Sequence, residues 1–287
     1  MRLVHSLWSK PMLTASESER KTKEVVALWC YASSVAFAKL HKQPIVLFAD
    51  EYAKELLSFL PYDEILPLSI KEDTPSTFWA AGKFAAYSQM QKGDIHIDGD
   101  VFLQTAGLMS ILKDATQKDY DVFVQCVEDD TNCYAGVYDK VCSILNKHNI
   151  TYQNKQFPRF EAAYNTGLIG FGDMALRDKY VSSYFDSIDQ IKNNQQLIKD
   201  LNIASSAPDI VLEQQTLFHL SQSKNTFSLL GRGLHSMAYS RMIGYQHLLG
   251  DAKTTCMHKI AAQLSSIDKE IFSLTVDKIN LILNRKL

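Results

Sequence analysis

Residues 44–50, Pro-Ile-Val-Leu-Phe-Ala-Asp, constrain the fold more than any other stretch. Five consecutive apolar side chains alternate to both sides of a strand, so such a strand must be covered on both faces. The run is too short for a buried helix and closes on a carboxylate, which predicts a central parallel strand ending at a polar edge. Before it, Val25, Leu28, Trp29, Ala32, Val35 and Ala36 recur at helical spacing over 25–40. After it, 52–60 suits a short helix, 64–69 a strand, and 78–90 a helix with Thr77 as its cap. Residues 2–7, 94–100 and 120–127 read as further strands and 103–112 as a helix. This βαβ rhythm predicts an α/β fold, a mostly parallel sheet with helices on both faces.

The second half is less regular. Residues 163–172 read as a strand, 174–191 and 210–221 as helices, with short strand-like pieces near Phe227 and Met242. Ile260, Leu264, Ile267, Ile271, Leu274 and Ile282 predict a closing amphipathic helix or helix pair over 260–283. No repeat and no Gly/Pro-rich linker interrupts the 287 residues, which favours one elaborated domain over two. Thirty Lys and Arg against 32 Asp and Glu leave a net charge of −2, without the basic footprint of a nucleic-acid binder. No apolar run is long enough to span a bilayer. The five cysteines (Cys30, Cys126, Cys133, Cys142 and Cys256) contain no CxxC pair, which points to a reducing, cytoplasmic setting rather than a disulfide scaffold or zinc ribbon.

Most of the chemistry sits in Ile95-His96-Ile97-Asp98-Gly99-Asp100. Two carboxylates at i and i+2 in an extended segment point the same way, and at the carboxyl end of a parallel strand they face the ligand crevice. Gly99 between them allows a close approach by backbone or ligand. Such a pair is a hard oxygen site for Mg²⁺ or Mn²⁺. Asp119 and Asp121 have the same spacing, but they precede their apolar run and belong at a solvated strand start. Gly170-Phe171-Gly172-Asp173-Met174-Ala175 has the form of a dinucleotide fingerprint, without a βαβ unit behind it; it reads mainly as a strand-to-helix turn. An Asp-x-Asp also serves phosphohydrolases of the haloacid-dehalogenase type, where it follows the first strand, whereas three strand candidates precede it here.

With these residues in place, the chain resembles the GT-A glycosyltransferases, and most of all the retaining enzymes of glycosyltransferase family eight. HIDGDVF matches that family's Asp-x-Asp strand. The resemblance implies Asp98 and Asp100 as metal ligands, with Lys83, fifteen residues earlier, near the donor. YNTGLIGF matches an Asn-x-Gly strand and would place Asn165 at the donor sugar or acceptor. Glu213-Gln214-Gln215-Thr216-Leu217 parallels an Asp-Gln-Asp-x-Leu stretch, which would set Glu213 and Gln214 beside the reacting sugar. His247-Leu248-Leu249-Gly250-Asp251-Ala252-Lys253 fits HxxGxxK, in which His247 completes the metal site and Gly250 and Lys253 meet the diphosphate. Glu213 and Gln215 stand where the family has aspartates, and Thr254-Thr255 follow where it has an aromatic tail.

The resemblance implies a GT-A-like mostly parallel sheet with a C-terminal helical extension. Its donor half would run over about 1–130, the acceptor and catalytic half over about 131–255, and the closing helices over about 257–287. It also implies a Mn²⁺- or Mg²⁺-dependent transfer from a nucleotide sugar, a UDP-sugar, to a saccharide or glycolipid, in the cytoplasm or at the membrane periphery. Trp8, at the end of the first strand, would cradle the base or belong to the core. Residues 16–23 would be a loop over the donor or a solvated linker. A nucleotidyltransferase and a catalytically silent binding or scaffold protein of the same fold remain open.

Overall fold

The computed structural model describes residues 1–129, 135–202, 207–232 and 235–284. In chain order the first half runs β1 (Arg2–Leu7), α1 (Lys10–Leu13), α2 (Glu17–Leu40), β2 (Ile45–Ala49), α3 (Glu51–Leu57), β3 (Glu64–Pro67), α4 (Ala81–Tyr87), β4 (Asp94–Ile97), β5 (Val101–Leu103), α5 (Ala106–Thr116) and β6 (Val122–Glu128). There follow α6 (Ala135–Lys147), β7 (Ala163–Phe171), α7 (Met174–Ile191), α8 (Gln195–Asn202), α9 (Ala207–Ile210), a π-helical turn (Val211–Gln215), α10 (Thr216–Leu220) and β8 (Thr226–Ser228). The chain closes with α11 (His235–Ile243), β9 (Tyr245–His247), α12 (Ala252–Thr255), α13 (Met257–Ile267) and α14 (Lys269–Leu283).

The main sheet has the order β3-β2-β1-β4-β7-β6-β8. Every strand in it runs one way except β7, which is antiparallel to both β4 and β6. The apolar strands divide their side chains as their burial on two faces demands. Val4, Val46 and Phe48 join the core beneath α4, α6 and α7, together with Phe84, Tyr87 and Tyr180. Leu3, Ile45 and Leu47 join the opposite core with Leu28 and Val35 of α2, Leu264 of α13 and Ile282 of α14. The α/β sandwich expected from the βαβ rhythm is therefore present, and the closing segment is a helix pair broken at Asp268, whose side chain caps α14 through Ile271 N–H.

Several local expectations give way. Residues 16–23 are no loop: α2 begins at Glu17, and the polar character comes from solvent-facing i,i+4 pairs, Glu17–Lys21 and Glu19–Lys23. Residues 101–103 form β5, and the helix expected from 103 starts at Ala106 behind the Thr105 cap. Met242 lies in α11, the neighbouring strand being β9. Helices α6 and α8 had not been anticipated. The Gly170–Gly172 segment, by contrast, is the strand-to-helix turn expected and not a phosphate loop. Because β7 runs backwards, its carboxyl end lies beside Asp94, at the opposite edge from Asp98. A Cβ at Gly172 would meet the Tyr120 carbonyl at 1.9 Å, and Asp173 caps α7. Those glycines admit backbone, not a dinucleotide. Cys30, Cys126, Cys142 and Cys256 are free thiols, and Cys133 lies outside the described residues. Among the described residues no helix is long and apolar enough to cross a membrane.

Candidate active site

Strand β4 delivers its chain to the carboxyl edge of the sheet and stops there. Asp98 N–H donates to the Gly167 carbonyl of β7 at 2.9 Å, and Val101 N–H returns to the Asp98 carbonyl at 2.9 Å. The two carboxylates thus converge through a tight turn, not along an extended strand as the spacing had suggested. Gly99 serves a close approach, and what approaches is the ring of Tyr31 from α2; a Cβ would lie 2.3 Å from it. The Tyr31 hydroxyl in turn donates to the Ser6 carbonyl at the end of β1.

The ribbon of β5 and β9 brings in the third group. Val101 pairs with His247, and Leu248 N–H donates to the Asp100 carbonyl at 3.1 Å, so 147 residues of separation collapse onto one ladder. His247 Nε2 stands 3.6 Å from Asp100 Oδ1 and 4.0 Å from Asp98 Oδ2. Its other nitrogen, Nδ1, is 2.8 Å from Gln125 Oε1, which also accepts the Tyr245 hydroxyl at 2.7 Å. With that amide oxygen as acceptor, Nδ1 carries the proton and Nε2 turns a lone pair toward two carboxylates. Burial holds the imidazole below its usual titration range. A lone pair facing two anions is an arrangement that a cation between them relieves.

Two lysines border the cluster. Lys83 of α4 bonds Asp98 Oδ2 at 2.9 Å and Glu213 Oε1 at 3.0 Å, and lies 5.2 Å from the centre of the Trp79 ring. Lys253 of α12 sits 2.6 Å from Asp100 Oδ2. Burial opposes ionisation of Asp98, but the Lys83 ammonium outweighs it and holds its carboxyl below the usual carboxylate range. Glu213 is raised by burial, against the pull of Lys83. The π-helical turn presents it fully buried, with Thr166 Oγ1 donating to Oε1 at 2.8 Å and Tyr180 donating to its main-chain carbonyl. Four residues before it, Asp209 accepts Ala80 N–H and the Tyr184 hydroxyl, and burial pushes its carboxyl up to about 7.

The residues fit a divalent ion. One ligand atom each from Asp98, Asp100 and His247 lies within 4.8 Å of the others. Asp98 Oδ1 is buried without a hydrogen-bond partner among the described residues, and Asp100 Oδ2 has the Lys253 ammonium beside it; a bound ion would satisfy both oxygens. Carboxylate oxygen with one imidazole is a donor set for a hard or borderline cation.

The carboxylates open on a cavity of about 810 Å³, walled by the end of β1 (Ser6, Leu7, Trp8), one face of α2 (Val26, Ala27, Cys30), Trp79, Lys83, Gly250 and Lys253. That volume suits a ligand larger than a single sugar. Trp8 packs on the core and also lines the cavity. The other expected residues fall into two groups. Asp98, Asp100, His247, Lys83, Lys253 and Glu213 converge, His247 behind the two aspartates and Glu213 behind Lys83, neither of them on the cavity wall. Asn165 and Gln214 do not line the cavity: Asn165 donates to Glu128 and accepts Gly167 N–H, while Gln214 accepts the Tyr138 hydroxyl. Gln125, Thr166 and Trp79 had gone unnoticed, although Gln125 is a lone amide inside the apolar run VFVQCV.

Residues 1–274 match a family described as one of unknown function, DUF6734. The chain belongs to that family. No curated protein matches this DUF6734 member in sequence. Among solved structures it is similar to apo mouse xyloside xylosyltransferase 1, at 12% identity and a TM-score of 0.38, over 79% of this chain and 83% of that one. A likeness that distant bears on neither substrate nor mechanism.

Proposed function

We propose that this DUF6734 protein is a divalent-metal-dependent glycosyltransferase that moves a sugar from a UDP-sugar to a saccharide or glycolipid acceptor with retention of configuration. The observation that carries the reading is the Asp98–Asp100–His247 cluster at the carboxyl edge of a mostly parallel sheet, flanked by two lysines and opening on a cavity of nucleotide-sugar size. Mn²⁺ or Mg²⁺ bound there would supply Lewis-acid neutralisation of a departing diphosphate. Lys253 adds positive charge where the leaving group develops negative charge, which favours bond breaking most if the ammonium is already oriented. Lys83 does so from the other side, oriented by Glu213, Thr166 and the Trp79 ring.

Glu213 acts in this reading as the counter-ion that holds Lys83, its full burial keeping it from the acceptor as a general base. That supports retention over inversion. The end of β1 with Trp8 and the α2 face would receive the base and ribose. Site residues drawn from 98–100 and 247–253 support one working unit.

Titration calorimetry with UDP and Mn²⁺, followed by a panel of UDP-sugars assayed for metal-dependent release of UDP, tests the proposal. We expect metal-dependent UDP affinity in the wild type, weakened at least about tenfold in Asp100→Asn, because the amide removes charge from a hard-cation site. Equal affinity in the two proteins would refute the metal assignment. Pyrophosphate release from a nucleoside triphosphate would instead identify a nucleotidyltransferase.

A further inference from the structure

Both ammonium groups at the carboxylate cluster neutralise acids, but they are held differently. Lys83 bridges Asp98 and Glu213 with only 13% of its side chain exposed. Lys253 has Asp100 as its one ion-pair partner among the described residues and is 40% exposed. It stands on α12, a four-residue helix with no buried residue, which follows Gly250 at φ +55°. The first lysine is built in; the second rests on Asp100 by charge.

Asp98, Asp100 and Glu213 present three carboxylates to two ammonium groups, beside the His247 imidazole. A divalent ion arriving alone reverses that balance and contests Asp100 with Lys253 at short range. A diphosphate arriving with the ion brings anionic oxygens to which the ammonium can transfer.

We propose that Lys253 is a built-in competitor for the metal: without donor it occupies the cation position on Asp100, and it yields that carboxylate when a nucleoside diphosphate accepts its ammonium. The inference rests on the reading of the site as a metal–diphosphate centre. It makes metal and donor binding mutually reinforcing through one side chain, and thermodynamic linkage makes the effect equal in both directions. In the absence of donor the site discriminates against metal. The divalent ion is then retained chiefly when its substrate is present.

The test measures Mn²⁺ affinity from the paramagnetic resonance signal of the free ion, with and without UDP. The proteins are wild type, Lys253→Met, Lys253→Gln and Lys113→Met. Lys113, on α5, is exposed and stands outside the cavity. Without UDP, both Lys253 variants should bind Mn²⁺ about three- to fivefold more tightly than wild type. The factor by which UDP strengthens Mn²⁺ binding should fall about tenfold in both. Lys113→Met should match wild type. The inference is overturned if Mn²⁺ binds the Lys253 variants no more tightly without UDP, if UDP helps them as much as wild type, or if Lys113→Met tightens binding equally. In those cases the site reading survives. If wild type binds no Mn²⁺ even with UDP, the site reading and this inference fall together.

Discussion

Gly167 offers the sharpest test of how His247 is held. It lies inside β7, and a methyl group there would stand 2.4 Å from His247 Cε1, 2.5 Å from Nδ1 and 2.6 Å from Gln125 Oε1. These distances are about 1 Å short of ordinary van der Waals contact. The β7 backbone is fixed on both sides by β4 and β6, so the ring and the amide must move instead. Gly167→Ala should therefore break the 2.8 Å bond from Nδ1 to Gln125 and swing Nε2 away from Asp98 and Asp100. Disturbing the group that orients a metal-bound histidine costs about 10- to 100-fold in metal affinity. Overpacking of this kind costs about 1–3 kcal/mol of stability, a fall of a few degrees in Tm. Mn²⁺ affinity in the presence of UDP, with Tm by calorimetry, measures both effects. Gly107→Ala on α5, whose added methyl meets nothing within 4 Å, is the control and should leave both unchanged or slightly raise Tm. A lowered Tm with undiminished Mn²⁺ affinity in Gly167→Ala would show that His247 is not a ligand.

Gln125→Leu removes the acceptor shared by His247 and Tyr245 and should weaken Mn²⁺ binding about 10- to 100-fold, measured by the same titration, while Asp98 and Asp100 remain in place. Asp209 gives a pH signature. Its folded carboxyl sits at about 7, above the ordinary carboxylate value near 4, so the fold holds a proton there that the unfolded chain releases. This contribution to stability is complete below about pH 4 and is lost as pH rises to about 7. Asp209→Asn lacks the effect, so the variant should gain on wild type across that window by on the order of a few kcal/mol, read as the difference in Tm from pH 4.5 to 8. A pH-independent difference would show that Asp209 is ionised throughout.

The sheet was legible because its strands are apolar runs with two buried faces, and PIVLFAD admits few other structures. The carboxylates were legible because β4 is short and polar just past its end. The antiparallel direction of β7 was not, since a strand buried on both faces reads the same in either direction; that reversal is what turns Gly170–Gly172 away from the site and brings Gly167 to it. The polar start of α2 was misread because its charges satisfy one another along the helix. The π-helical turn escaped because Ile210 to Leu220 has ordinary helical periodicity, and the register change that buries Glu213 leaves no mark on it. Gln125 was visible but mute, because its partner His247 arrives on another strand.

The pairing of β5 with β9 has a consequence in time. The main sheet has all its strands once the chain has reached Ser228, whereas the imidazole and the second ammonium arrive only at residues 247 and 253. A nascent or clipped chain ending between residues 229 and 244 would carry every strand of that sheet, with Lys83 still on Asp98, but would lack His247, Lys253 and the closing helices that cover one face. Mn²⁺ stoichiometry in a preparation would then count finished molecules.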